Sequence, residues 1–163
     1  MSSNQLKMYV IKRSKDENGN NIKEPIHFDK ITTRISKLIN RNEKNRLDAT
    51  YISQKVINNI YSGITTEEID IESANICANL STTDYLYAYL AGRILVSNLH
   101  KKTLNSFVDK MNQINNDLPS LLNHKWLKWI NNNKVELDNA INYNNDYNYD
   151  FFGFKTLERA YLI

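Results

Sequence analysis

Apolar residues recur along the chain with two different periods, and the shorter period predicts a β-hairpin near the amino terminus. Residues 8–13 alternate between apolar and polar side chains, as is typical of a strand, and residues 22–28 resemble a returning strand. The segment between them is rich in Asn and Gly, which tolerate the positive φ of tight turns.

After this hairpin, apolar residues recur every three or four positions, which is the period of an amphipathic α-helix. Four such helices are predicted to begin at about residues 29, 48, 65 and 83. Asp48 is a predicted N-cap, Gly63 a predicted C-terminal cap, and Thr65 with Glu68 forms a predicted capping box. The fourth helix is predicted to continue well past Lys102.

The remaining chain is predicted to be helical with two interruptions. Pro119 should break the preceding helix, because proline lacks the N–H donor and clashes with the turn before it. Residues 121–141 are predicted to form one or two helices that contain Trp126 and Trp129 as core or interface residues, and residues 142–149 a loop. An amphipathic helix is predicted from Phe154 onwards. The predicted fold class is α+β and mostly α, with a helical bundle capped by a small β-hairpin or sheet.

Composition narrows the class of protein. The 163 residues are 41% hydrophobic and 24% charged, as in an ordinary soluble globular protein. The formal charge of +3 is too small to indicate a nucleic-acid-binding protein. Cys77 is the single cysteine, so an internal disulfide and a cysteine-rich zinc site are excluded. Without an apolar run of ~20 residues or a signal peptide, we expect a cytoplasmic protein, in the host cytoplasm if its source is viral.

Two blocks of sequence carry candidate chemistry. Lys12 and Arg13 end the first strand, and Lys30 follows just inside the next helix; clustered cations suit the phosphates of a nucleotide. Thr66 and Asp70 lie four positions apart, so they share one face of the third helix. The alternative for each is structural: surface cations are usually solvated, and an acidic residue early in a helix can complement the helix dipole.

These blocks resemble the ATP-cone, the allosteric nucleotide-binding module of the ribonucleotide reductase large subunit. The resemblance continues through residues 88–102 and again through 151–162. It implies that the chain binds ATP and dATP with Mg²⁺, and that the acidic residue at position 70 helps to distinguish the two nucleotides. The implied nucleotide-binding residues are Lys12, Arg13, Glu24, Pro25, Ile26, His27, Phe28, Asp29, Lys30, Thr66, Asp70 and Lys101.

The resemblance also implies a domain organisation and partners. Residues 1–103 would form the cone, and 104–163 the incomplete helical start of a reductase large subunit. No catalytic residue is predicted, because one cysteine cannot supply the thiol chemistry of a reductase. Expected partners are the remaining large-subunit chain, the small subunit or a second copy. The alternatives are one piece of a split reductase, a fragment without function or, less in keeping with the sequence, a cone-bearing transcription regulator.

Three further expectations concern packing. Arg93 lies within an apolar stripe and is predicted to form a structural ion pair with Glu72 or Asp70. Asp70 is also expected to be a surface carboxylate, so that Asp70→Asn would change nucleotide selectivity with little effect on stability. The aromatic cluster from Phe151 to Ile163 is expected to leave an apolar patch that docks elsewhere, pairs with another copy or moves freely.

Overall fold

The structure, a computed structural model, describes residues 8–161 and confirms the predicted α+β, mostly helical fold class. The strands are β1 (Tyr9–Lys15), β2 (Asn21–Pro25) and β3 (Ile64–Thr65). The α-helices are α1 (Phe28–Lys37), α2 (Ala49–Asn59), α3 (Thr66–Leu80), α4 (Leu86–His100), α5 (Phe107–Asp117), α6 (His124–Asn132), α7 (Lys134–Ala140) and α8 (Phe151–Ala160). Short 3₁₀ helices span Arg41–Glu43 and Tyr143–Asn148.

The sheet contains the predicted hairpin and one additional strand. β1 lies in the centre, antiparallel to β2 and parallel to β3. The hairpin turn forms because the carboxylate of Asp16 accepts from the backbone N–H groups of Asn18 and Asn20, at 2.9 and 2.8 Å, while Gly19 adopts a φ of +80°. β3 was not predicted, because two residues are too few to show a period.

The predicted N-caps of α2 and α3 are confirmed. Asp48 accepts hydrogen bonds from two backbone N–H groups in the first turn of α2. Thr65 accepts from the N–H of Glu68, whose carboxylate in turn accepts from the N–H of Thr65, a complete capping box. Gly63 was placed wrongly as the end of α2, since the helix stops at Asn59. With a φ of +91°, this glycine instead turns the chain into β3.

The prediction of one long helix through Lys102 is wrong. α4 ends at His100 and α5 begins at Phe107. The hydroxyl of Ser106 accepts from the N–H of Asp109 and donates to Asp138 at 2.8 Å. A new N-cap therefore begins a separate helix where the apolar period alone suggested continuity.

The described chain forms two compact units, one made of residues 8–98 with 147–161, the other of residues 99–146. In the first unit, a buried apolar core joins residues of α1, α2 and α4: Ile35, Ile52, Val56, Leu90 and Ile94. In the second unit, α5 ends two residues before Pro119, as predicted, and the segment 121–141 forms two helices. The prediction of Trp126 and Trp129 as core residues is wrong, because they are 64% and 50% exposed; their role in an interface stays a prediction.

α8 belongs to the first unit and starts three residues earlier than predicted, because Asp150 caps it. Phe154 is buried, whereas Phe152 and Tyr161 are exposed. Leu162 and Ile163 lie outside the described residues. Among residues 8–161, no helix combines the length and apolar character that a membrane span requires.

Close approach between α4 and the chain leading into α8 depends on Gly92. A Cβ at this position would lie 2.2 Å from the carbonyl oxygen of Tyr149. Gly92→Ala is therefore expected to displace this segment and to increase amide hydrogen exchange throughout α8, although alanine improves intrinsic helix propensity by about 1 kcal/mol. Hydrogen exchange followed by mass spectrometry measures the effect.

The matched control for this experiment is Gly153→Ala, in α8 itself. Its new methyl would lie 3.1 Å from a side-chain oxygen of Asp150, a contact that a shift of a few tenths of an ångström relieves, so exchange in α8 should change much less. Unchanged exchange in the Gly92→Ala protein would show that α8 does not need this close approach.

Candidate functional site

An irregularity in the central strand positions the first two predicted cations. The pairing of β1 with β2 shifts between Ile11 and Lys15, so that three residues of β1 lie opposite a single residue of β2. Such a bulge changes the direction of the side chains it contains, here those of Lys12 and Arg13. Because β3 runs parallel to β1 and continues into α3, Arg13 lies within reach of Asp70 in that helix.

Glu24 lies between two lysines on the exposed side of the site. Its carboxylate accepts from Lys12 Nζ at 3.0 Å and from Lys30 Nζ at 3.4 Å. Hydrogen bonding and charge attraction, first from Lys12 and then from Lys30, lower the pKa of Glu24. All three side chains are partly open to solvent, so their ion pairs are within reach of a dissolved anion.

Asp70 lies between two arginines on the buried side. Its side chain is only 4% exposed; one of its oxygens accepts from Arg13 Nη2 at 3.2 Å. Arg34 binds it in a bidentate manner, with Nη2 at 3.0 Å from one oxygen and Nε against the other. Arg13 also donates to Asn98. The expectation that Asp70 is a surface carboxylate is thus wrong, because α1 and β1 cover it.

The two groups form one continuous site. Lys12 and Arg13 are neighbours in β1, and Lys30 and Arg34 lie one turn apart on the same face of α1. Four cations share two carboxylates, so these six paired side chains together carry a surplus of two positive charges (4 − 2). Partly exposed cations in excess over their partners favour a ligand with several negative charges.

The other residues predicted near Lys30 follow β2 directly. Pro25 ends β2, and Ile26 is half-buried, with its N–H donating to the carbonyl of Met8 at 3.0 Å. His27 and Asp29 are exposed at the start of α1. Phe28 is 42% exposed and so does not belong to the core of the hairpin.

The two remaining predicted residues, Thr66 and Lys101, belong to different units. Thr66 is half-buried in the first turn of α3, one turn before Asp70. Lys101 is exposed and belongs to the other unit, so its inclusion in the site stays a prediction.

Arg34 was missed because it lies outside the sequence blocks that carry the resemblance. Its one signal in the sequence is the four-residue spacing from Lys30, which puts both cations on one face of α1. Nothing in the sequence indicates that Asp70, 36 positions further on, is its partner.

Arg93 forms the structural ion pair that was predicted, but with a different partner. Its Nη1 lies 2.8 Å from the carboxylate of Glu43 and donates to the carbonyl of Leu38 at 2.9 Å. The predicted partners are engaged elsewhere: Asp70 with the two arginines, and Glu72 with Asn59 at 2.6 Å. Arg93 therefore ties α4 to the end of α1 and to the 3₁₀ helix that follows it.

Comparison with known proteins gives the same family as the sequence blocks. Residues 8–102 match the ATP cone domain. Across 96% of its length the chain is 41% identical to ribonucleoside-diphosphate reductase large chain 2 of Saccharomyces cerevisiae and 42% identical to the large subunit of Danio rerio. It is 40% identical to the large subunit of vaccinia virus. The chain spans about a fifth of the length of these relatives, 18–20%.

The matched segment of 95 residues (102 − 8 + 1) is more than half of the chain. It includes both carboxylates and all four cations of the site described above. The chain therefore belongs to the ATP-cone family.

Proposed function

We propose that this chain binds ATP and dATP reversibly, as an allosteric effector domain of a ribonucleotide reductase large subunit. The observation that carries the proposal is the surplus of two positive charges at the bulge of β1, where Lys12 and Arg13 meet Lys30 and Arg34. Two carboxylates already bind these four cations, so a polyphosphate would replace some of the existing ion pairs and neutralise the surplus charge.

The exposed lysines are assigned to the phosphates. Lys12 and Lys30 both bind Glu24, and a bound phosphate would replace the carboxylate of Glu24 as their partner. Arg13 adds a planar group that suits two phosphate oxygens at once. Lys101 is proposed as a further phosphate ligand on the strength of the resemblance alone.

The apolar and hydroxyl residues are assigned to the base and the sugar. Phe28 offers an exposed aromatic surface beside the half-buried Ile26, which suits an adenine ring. Pro25, His27 and Asp29 belong to the same segment as Ile26 and Phe28 and are proposed to line the same side of the site. The hydroxyl of Thr66 is proposed to face the ribose, one turn from Asp70.

We propose that Mg²⁺ binds as a complex with the nucleotide. Among residues 8–161, no group of three or more His, Cys, Asp or Glu side chains could hold a metal ion. Mg²⁺ commonly binds through phosphate oxygens, waters and one or two carboxylates. The exposed carboxylates of Glu24 and Asp29 are suitable for that contribution, and bound Mg²⁺ would neutralise part of the triphosphate charge.

Allostery requires a second site to which nucleotide binding is coupled. We propose that this coupling acts on the association of the domain with the remaining large-subunit chain, the small subunit or another copy. By the family resemblance, ATP would favour active assemblies and dATP inactive oligomers. The chain itself is assigned no catalytic residue.

Isothermal titration calorimetry with Mg²⁺ tests the proposed ligand. ATP and dATP should bind, whereas GTP and CTP should bind much more weakly. Lys12→Gln or Lys30→Gln should weaken ATP binding several-fold, because each removes a phosphate partner. Lys37→Gln is the matched control, since it removes an exposed lysine from the end of α1 and should leave the affinity unchanged. No binding of ATP well above ~1 mM, equivalent to about −4 kcal/mol, would contradict the proposal.

A further inference from the structure

Of the two arginines that bind Asp70, Arg34 makes the more complete contact, although it lies outside the sequence blocks that carry the resemblance. We propose that Arg34 is a positioning residue: it keeps the buried carboxylate of Asp70 paired, so that Arg13 can leave that carboxylate and bind a phosphate. The inference rests on the proposed function, since it assigns Arg34 a role in the same nucleotide site.

The two arginines hold Asp70 unequally. Arg34 donates to both carboxylate oxygens, through Nε and Nη2, whereas Arg13 donates to one of them, at 3.2 Å. Bidentate contacts between arginine and a carboxylate are stronger and more specific in geometry than single contacts. Arg34 is also anchored by Ser97, whose Oγ lies 3.4 Å from its Nη2. Arg13 would give up single hydrogen bonds to Asp70 and Asn98, whereas Arg34 would give up a bidentate ion pair. Of the two cations, Arg13 is therefore the one that can leave Asp70 at lower cost.

Arg13 is incompletely bonded where it now lies. Its Nε is buried and has no hydrogen-bond acceptor within the described part of the chain. Its side chain is nevertheless 25% exposed, so a dissolved anion can approach this residue. The oxygens of a phosphate group would supply the missing acceptors together with a full negative charge.

Arg34 keeps the charge of Asp70 compensated when Arg13 leaves. In the structure, two arginines share one carboxylate; once a phosphate binds Arg13, Arg34 and Asp70 remain as a neutral pair. An uncompensated buried carboxylate is costly, so any movement of Arg13 depends on what stays with Asp70. Without Arg34, the carboxylate loses its bidentate partner and holds Arg13 more tightly, in direct competition with the phosphate.

The test is a double-mutant cycle on ATP affinity, measured by calorimetry with Mg²⁺ at a temperature where each protein is folded. Arg34→Gln is expected to weaken ATP binding about tenfold, within the usual range for coupled sites. In the Asp70→Asn background the same change should alter affinity less than about twofold, because no buried charge remains to compete for Arg13. Arg41→Gln, an identical change at an exposed arginine beyond α1, should have no effect in either background.

The outcomes separate the two proposals. A wild-type protein that fails to bind ATP overturns both of them. Normal ATP binding by an Arg34→Gln protein with a lowered melting temperature overturns the positioning role alone and leaves nucleotide binding intact. An equal loss in both backgrounds also overturns it, because Arg34 would then contact the ligand itself.

If the Asp70→Asn protein does not fold, a second measurement on the wild type and the Arg34→Gln protein replaces the cycle. The Nε–H resonance of Arg13, observed by NMR, should shift on addition of ATP to the wild type. At equal ATP occupancy it should shift much less in the Arg34→Gln protein. Equal shifts at equal occupancy would overturn the proposal.

Discussion

Asp70→Asn is expected to destabilise the first unit strongly, by about 2–4 kcal/mol, even without a nucleotide. The carboxylate is buried and binds arginines from two different elements, β1 and α1. An asparagine of the same shape removes the negative charge that both arginines bind and leaves Arg13 and Arg34 facing each other. Because both arginines are partly exposed, water offsets some of this repulsion, and the unit should still fold.

Urea unfolding followed by circular dichroism at neutral pH measures this loss. Glu17→Gln, in the exposed turn of the hairpin, is the control for removing a carboxylate and should change the free energy of unfolding by less than about 0.5 kcal/mol. An equally small effect for Asp70→Asn would mean that Asp70 is exposed in solution, as the sequence had suggested. The selectivity between ATP and dATP should be compared only at equal fractions of folded protein.

Local signals in the sequence were enough to predict much of the fold. The caps formed by Asp48 and Thr65 depend on residues within three positions of one another, and the hairpin turn depends on Asp16 and Gly19. Interactions of this range are decided by residue type and spacing alone. The blocks that include Lys12, Arg13 and Lys30 were likewise recognisable as a unit.

The partners of buried charges could not be predicted in the same way. Asp70 lies 57 positions from Arg13 and 36 from Arg34, and only the packing of α1 and β1 against α3 brings them together. Arg93 was assigned to acidic residues of α3, whereas its partner Glu43 lies in a 3₁₀ helix that no periodicity revealed. In both cases the residue type indicated an ion pair, but the tertiary arrangement selected the partner.

A second large effect is expected from Glu43→Gln, which should lower the free energy of unfolding by about 3 kcal/mol near neutral pH. Glu43 and Arg93 are both buried, and their charged atoms lie 2.8 Å apart. Arg93 already has one buried nitrogen, Nη2, without an acceptor in the described part of the chain. Removal of the carboxylate charge would leave its guanidinium buried without a compensating anion. Thermal and urea unfolding both measure the loss.

The effect of Glu43→Gln should depend on pH in a defined direction. Burial raises the pKa of Glu43, but hydrogen bonds from Arg93 and from the backbone of Asn40 lower it more, so that it lies below its ordinary value of 4.5. A carboxyl group with a depressed pKa in the folded state stabilises the protein fully above 4.5 and loses that contribution as the pH falls through the lower, folded-state pKa. The difference in unfolding free energy between wild type and Glu43→Gln should therefore be constant near neutral pH and shrink in acid. Urea titrations between about pH 7 and about pH 3 measure it, with Glu17→Gln as the exposed control. A difference that stays the same throughout this range would assign the loss to packing and hydrogen bonding around Glu43 rather than to its charge.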